Sequence, residues 1–352
     1  MAISTIKWVN GCARIIDQRK LPTKLEYIYC RDVKTMWHAI KTLAVRGAPA
    51  IGVAAAFGVL LGLKDFKGTD KKKFLKFFNG LCAYIGSSRP TAVNLFNMLD
   101  RMKQVVRVHQ NSSIQKTKHL LQKEADQIYH EDRRVCRLMG QHGTKLIKDK
   151  QNIMTICNAG ALATVDYGTA LGVFYSAKKI GKKFKVYTCE TRPLLQGARL
   201  TTWELLREKI DTILICDNTA ATLMAQGKID QIFTGADRIA ANGDTANKIG
   251  TYNLAVLARY HRIPFYVVAP LSTFDVSIRN GRDIPIEERN PNEVRSFGLR
   301  PTAPPQVKVY NPAFDVTDHK LITGIVTEKG MISPPYSKNI SKIFKRHDSQ
   351  KR

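Results

Sequence analysis

A thiol ends a short apolar run in Thr155-Ile-Cys157-Asn158-Ala159-Gly160-Ala161-Leu162-Ala163-Thr164, on a turn made largely of small residues. So bare a backbone can approach a ligand closely. A free thiol titrates near about 8.5; a following helix N-terminus or a bound cation lowers that value, and apolar packing raises it. Residues 152–156 read as a buried strand and Asp166 to Ile180 as a helix with one apolar face, which puts Cys157 at a strand-to-helix junction. The pattern then repeats with acids in the same place. Val186 to Thr188 runs into Cys189-Glu190-Thr191-Arg192, Ile213 to Ile215 into Cys216-Asp217-Asn218, and Ile232 to Thr234 into Gly235-Ala236-Asp237-Arg238. A carboxyl group so placed can cap a helix or, where burial raises its pKa, deliver a proton.

The elements that must hold these groups follow from the alternation. Helical stretches near 197–207, 217–226 and 245–261 separate the apolar runs, the last of which is Phe265 to Val268. This spacing predicts an α/β fold, a parallel sheet with helices on both faces. Cys157, Glu190, Asp217 and Asp237 would then share its carboxyl edge, where open parallel sheets bind ligands. The amino-terminal part reads differently. Two short runs within Ile6 to Asp17 are joined by Asn10-Gly11, a hairpin signal, and a further strand is expected over Glu26 to Cys30. Asp32 is a candidate N-cap, after which helices are expected over Val33 to Val45, Ala50 to Leu63, Lys71 to Gly86, Thr91 to Val108 and Ile114 to Ile147. The change of pattern at 148–151 divides the chain into residues 1–148, a smaller, mainly helical domain with a short β-sheet, and residues 149–352, a Rossmann-like α/β domain.

Two turns in the helical part have the makings of an anion site. Val45-Arg46-Gly47-Ala48-Pro49 and Ser87-Ser88-Arg89-Pro90-Thr91 each place an arginine just before a helix with a proline at its start. Backbone amides at a helix N-terminus, with a guanidinium beside them, match a phosphate.

Composition narrows the function class. With 352 residues and 44% hydrophobic content the chain can bury a large core, and no apolar run reaches membrane-spanning length. The opening residues lack the charged and apolar regions of a signal peptide, so a cytoplasmic protein is expected. The seven cysteines show no Cys-x-x-Cys pair and no zinc spacing, so they are expected as reduced thiols, with neither disulfides nor structural metal. Outside Cys157 they are expected to pack as small hydrophobes. Part of the net charge of +27 sits in Lys64 to Lys76 and Lys338 to Arg352, outside the strand-end motifs and without interleaved stacking aromatics. It reads as a solvated surface rather than a nucleic-acid footprint. No Gly-x-Gly-x-x-Gly follows any expected strand, which argues against a dinucleotide cofactor.

Taken together, Arg46-Gly-Ala-Pro-Ala-Ile-Gly52, Ser88-Arg-Pro-Thr-Ala-Val-Asn94, Cys157-Asn-Ala-Gly-Ala-Leu-Ala-Thr164, the segment Glu190 to Thr201 and Gly235-Ala-Asp-Arg-Ile-Ala-Ala-Asn-Gly243 resemble the methylthioribose-1-phosphate isomerases. Asp244 to Tyr252, Ser272 to Asp275, Ile284 to Arg289 and Asn311 to Thr317 extend the resemblance over nearly the whole chain. That family is related to the regulatory subunits of translation initiation factor 2B and to ribose-1,5-bisphosphate isomerase, so fold alone does not decide function. The resemblance implies Cys157 and Asp237 as the catalytic pair, and Arg46, Gly47, Ala48, Arg89, Gln196 and Lys248, with Asn247 beside them, as the phosphate site. It also implies a homodimer working without cofactor or metal. Two positions depart from the family's pattern, Val165-Asp166 and Thr202, and Asp166 is expected to cap the helix that follows.

The implied reaction turns 5-methylthioribose 1-phosphate into 5-methylthioribulose 1-phosphate, a step of methionine salvage. Phosphate on O1 stops the ring opening as a free hemiacetal would, so an acid must protonate the ring oxygen, and Asp237 among apolar neighbours suits that role. Hydrogen then passes from C2 to C1, either by proton abstraction at Cys157 or by hydride shift with Cys157 serving the accompanying proton transfers. The alternatives are an isomerase of 5-deoxyribose 1-phosphate or ribose 1,5-bisphosphate, and a non-catalytic regulatory protein. Trp8, Tyr27 and Trp37 are expected mainly in the core, with lining an apolar wall at C5 as their other reading.

Overall fold

A computed structural model of the chain describes residues 3–90, 92–298 and 300–349. Thr91, in the second arginine turn, and residues 350–352 of the basic tail lie outside them. By compactness the chain divides into two units, Met1–Cys136 with Gly160–Gly168, and Arg137–Ala159 with Thr169–Arg352.

The first unit opens on an antiparallel sheet of β1 (Ile6–Val9), β2 (Cys12–Ile16) and β3 (Tyr27–Cys30). Asn10 and Gly11 at the hairpin turn have φ of 48° and 74°, the left-handed pair that a two-residue turn of this hand requires. Helix α1 (Val33–Lys41) starts at Asp32, whose carboxylate accepts the Thr35 amide. It stops short of the expected Val45 because Leu43 turns left-handed, at φ 62°. Helix α2 (Ala48–Leu63) is apolar all round and is buried from Ala50 to Leu63, as the central helix of a bundle must be. Around it lie α3 (Lys71–Gly86), capped by Asp70, α4 (Val93–Val108) and the long α5 (Ile114–Thr144), which runs on past the division between the units. Trp8 packs on Phe57, and Trp37 stacks on Tyr84 while donating to Ser87; Tyr27 is 37% exposed beneath the Arg14 guanidinium.

In the second unit the chain alternates as expected: β4 (Gln151–Thr155), α6 (Ala170–Lys179), β5 (Phe184–Cys189), α7 (Thr202–Arg207), β6 (Asp211–Ile215), α8 (Ala220–Ala225) and β7 (Gln231–Thr234). Next come β8 (Arg238–Ala240), β9 (Thr245–Lys248), α9 (Thr251–Tyr260), β10 (Phe265–Val268) and β11 (Phe274–Asp275). The chain closes with α10 (Asn292–Arg295), the short pair β12 (Ser296–Phe297) and β13 (Arg300–Pro301), then β14 (Phe314–Thr317), β15 (Gly324–Thr327), β16 (Gly330–Ile332) and α11 (Tyr336–Ser349). The main sheet has the order β16-β15-β10-β7-β4-β5-β6 and is parallel except at β15–β16. Counting its parallel strands along the chain gives 3-2-1-4-5-6, the doubly wound order whose direction reverses between the first and fourth strands. Here those strands are β4 and β7. Met154 and Ile232 face one buried cluster with α8, α9 and α11, while Phe233, one residue on, meets Phe174 of α6 on the other side. Both faces are therefore covered. No helix among the described residues is long and apolar enough to cross a membrane.

Three local expectations need correction. Residues 245–261 are not one helix, because Thr245–Lys248 pairs antiparallel with β14 in a second sheet, β11-β8-β9-β14. Gly250, at φ 99°, separates that strand from α9. The helix expected from Asp166 begins only at Ala170, and Asp166 does not cap it but pairs with Arg133 of α5 at 2.5 Å. Cys216, expected to be packed, is exposed.

Candidate active site

Cys157 lies two residues beyond β4 and Asp237 three beyond β7, the two strands at the reversal of order. Adjacent parallel strands run about 4.8 Å apart, so both loops leave the same sheet edge as neighbours. They also touch: a Cβ on Gly235 would stand 3.1 Å from Ala159 Cβ, so glycine lets the loop after β7 lie against the one after β4. Glu190 and Asp217 follow β5 and β6 on the same edge. Asp217 accepts the amides of Thr191 and Arg192, at 2.8 and 2.7 Å, and so fixes the turn after β5.

Cys157 is half-buried and adopts φ 64°, left-handed backbone that a non-glycine residue enters only under constraint. Its amide donates to Thr191 Oγ1 at 2.8 Å, and its carbonyl accepts from Thr201 Oγ1 at 2.6 Å. The other thiols are poor candidates for chemistry. Burial pushes Cys30 and Cys82 up to about 12 and Cys136 well above its usual value; Cys189 is raised by burial and then by Asp217 and Glu190. The exposed Cys216 is raised chiefly by the charge of Glu190.

Asp237 is half-buried, and its amide is tied to Ala246 O at 2.9 Å. The Arg238 guanidinium, which would oppose a protonated Asp237 if it turned inward, pairs instead with Asp275 at 3.6 Å. Asn247 and Lys248 stand on β9, the strand missing from the sequence reading. Asn247 Nδ2 donates to Thr234 and Thr251, binding β9 to the end of β7. Lys248 Nζ donates to Ala313 O at 2.8 Å and lies 4.8 Å from the centre of the Phe314 ring. Gln196 opens a π-helical turn, Gly197–Thr201, an irregularity frequent at functional sites. Its Oε1 is buried without a hydrogen-bond partner in the structure. A buried amide left so costs about 1–3 kcal/mol, which a ligand hydroxyl, or a phosphate oxygen meeting the amide turned over, would offset.

Arg46, Gly47, Ala48 and Arg89 belong to the first unit. Gly47 caps α2 at φ 90°, and a Cβ there would lie 2.4 Å from the Ala163 Cα, so only glycine fits. Segment 160–168 is held to that unit by Thr5 and Gln18, which donate to the carbonyls of Ala161 and Leu162, and by Asp132, which accepts the Val165 amide. A cluster of Asp244, Asp318 and His319 has the spacing of metal ligands. Asp244 already accepts the amides of Gly281 and His319 and the Asn242 side chain, which makes it the lock of a turn.

The profile of the initiation factor 2 subunit family matches residues 44–334. The chain belongs to that family. Within it, the 5-deoxyribose 1-phosphate isomerase of Moorella thermoacetica is 54% identical over 97% of both chains. Methylthioribose-1-phosphate isomerase 1 of Pseudothermotoga lettingae is 53% identical over 97% of this chain and 98% of its own. The crystal structure of 5-methylthioribose 1-phosphate isomerase from Pyrococcus horikoshii OT3 superposes with a TM-score of 0.91 at 46% identity, covering 97% of this chain and 96% of that one. These members of the family are sugar-phosphate isomerases by name.

Proposed function

We propose that this protein converts 5-methylthio-α-D-ribose 1-phosphate into 5-methylthio-D-ribulose 1-phosphate, the aldose–ketose step of methionine salvage, as a cytoplasmic homodimer. The observation that carries this reading is the placement of Cys157 and Asp237 on touching loops at the strand-order reversal. Asp237 protonates the ring oxygen so that the sugar opens despite the phosphate on O1. Cys157 serves the proton movements that accompany hydrogen transfer from C2 to C1. The family resemblance gives phosphate-binding roles to Lys248 and Gln196, with Asn247 beside them, and to Arg46, Gly47, Ala48 and Arg89. Binding energy from that dianion orients C1 and C2 against the reacting groups. The orphaned Gln196 amide supports a polar ligand there.

The 54% identity to a 5-deoxyribose 1-phosphate isomerase favours that sugar as the second substrate. Every candidate shares the phosphate and the C1–C2 region, so choice rests on what packs at C5. An apolar substituent is worth only about 1–3 kcal/mol in a pocket, so the gap between the first two is small. All three sugar phosphates are to be presented to the purified protein and ketose formation followed by NMR. The expected order of kcat/KM is methylthioribose 1-phosphate, then 5-deoxyribose 1-phosphate, with ribose 1,5-bisphosphate poorest. Preference for the bisphosphate would overturn the pathway and leave the isomerase chemistry standing; no turnover of any would favour a regulatory protein.

A further inference from the structure

We propose that Thr191 and Thr201 are positioning residues, a pair of hydroxyl clamps that hold Cys157 in its left-handed turn, with Glu204 setting the second clamp through Asn158. The proposal rests on the reading of Cys157 as the reacting thiol.

A turn that needed only φ 64° would be met by glycine without strain. A thiol stands there instead, so the backbone must be held from outside. The amide is taken by Thr191, in the turn after β5, and the carbonyl by Thr201, at the end of the π-helical turn that leads into α7.

The roles of these hydroxyls are fixed by proton counting. Thr191 Oγ1 donates its single proton to Cys189 O at 3.1 Å, which leaves a lone pair for the Cys157 amide. Thr201 Oγ1 donates to Cys157 O and accepts from Asn158 Nδ2 at 3.1 Å. The second Asn158 proton goes to Glu204 Oε1 at 2.7 Å, and the other oxygen of Glu204 accepts from Tyr175 Oη at 2.9 Å. Asn158, Thr191, Thr201 and Glu204 are 4%, 0%, 0% and 3% exposed. Water therefore does not compete for these bonds. On the opposite side Asp217 holds the Thr191 and Arg192 amides, and Thr191 is itself left-handed at φ 67°. Two carboxylates thus fix two threonines, and the threonines fix one cysteine.

Valine has the shape of threonine without the hydroxyl, and serine restores the hydroxyl without the methyl. Thr201→Val and Thr191→Val should therefore lower kcat by about 10- to 100-fold, the scale of a misplaced reacting group, with little change in KM. They should also shift the pH profile of Cys157 alkylation by iodoacetamide, read by peptide mass spectrometry so that exposed Cys216 is counted separately. Thr201→Ser and Thr191→Ser should return both readouts toward wild type. Folded valine variants with wild-type kcat and a wild-type alkylation profile would overturn the proposal, as would serine variants that fail to rescue. If Thr201→Val does not fold, Thr191→Val decides the question from the other side of the loop. Cys157→Ala in the same assay separates the two readings. Turnover in that variant removes the reacting thiol itself, whereas its inactivity beside fully active valine variants removes the clamps alone.

Discussion

At the scale of single residues, the proposed mechanism divides the work between Cys157 and Asp237 by chemical type. Cys157→Ala deletes the thiol and keeps the backbone bonds to Thr191 and Thr201, so fold and substrate binding should persist while turnover is lost. Asp237→Asn keeps the shape and removes the acid, so kcat should fall by about 10² or more and the limb of the pH–rate profile that reports this acid should disappear. NMR turnover with calorimetric binding checks both, and turnover in Cys157→Ala or an unchanged pH–rate profile in Asp237→Asn would return that residue to a structural role. Their placement at strand ends was legible in the sequence because each follows a short apolar run bounded by small residues, and β4 and β7 form there. The groups that hold Cys157 were not legible. Thr191, Thr201, Glu204 and Tyr175 lie 34, 44, 47 and 18 positions beyond Cys157, and bonds of that sequence separation leave no periodic trace.

At the scale of elements, β9 and α9 show why part of the candidate site leaves no local signal in the sequence. Thr245 to Tyr260 carries a helical pattern at its far end, and only Gly250 marks the break; the pairing of β9 with β14 is set by residues about seventy positions later, beyond any local signal. The joint is locked by Asp315 of β14, whose carboxylate accepts the Gly250 and Tyr252 amides at 2.7 and 3.0 Å at the start of α9. Burial pushes the Asp315 carboxyl up to about 6, although those amides and nearby Lys248 pull it down. Its folded value thus lies above the unfolded one, so the stability it contributes is fully present below about pH 3.9 and is lost as pH rises through about 6. A shift of about two pKa units corresponds to about 3 kcal/mol. Urea unfolding of wild type and Asp315→Asn should therefore show a difference that changes by up to that amount between acid and neutral pH. Parallel pH dependences in the two proteins would mean that Asp315 does not titrate in this window.

At the scale of the molecule, the +27 net charge and the apolar surface act in opposite directions on self-association. Like charge on two copies repels, and salt screens that repulsion. Against it, α9 exposes Tyr252, Val256 and Tyr260, at 46%, 41% and 81%, four residues apart along one helix face. Such spacing makes a continuous stripe, and a contiguous exposed apolar patch marks an interaction surface more often than scattered single residues do. The proposed homodimer is therefore expected to form through this face and to tighten as salt rises, the reverse of a charge-driven contact. Light scattering should give twice the chain mass of 39.6 kDa for the wild type. Val256→Glu combined with Tyr260→Glu places two carboxylates on the stripe, where burial against a second copy would leave them unpaired, and should return the mass to that of one chain. These side chains point away from the buried cluster that Leu254, Ala255 and Ala258 enter, so the double variant should keep its fold. A wild-type protein that stays monomeric at every concentration, or a double variant that stays dimeric, would remove α9 as the interface.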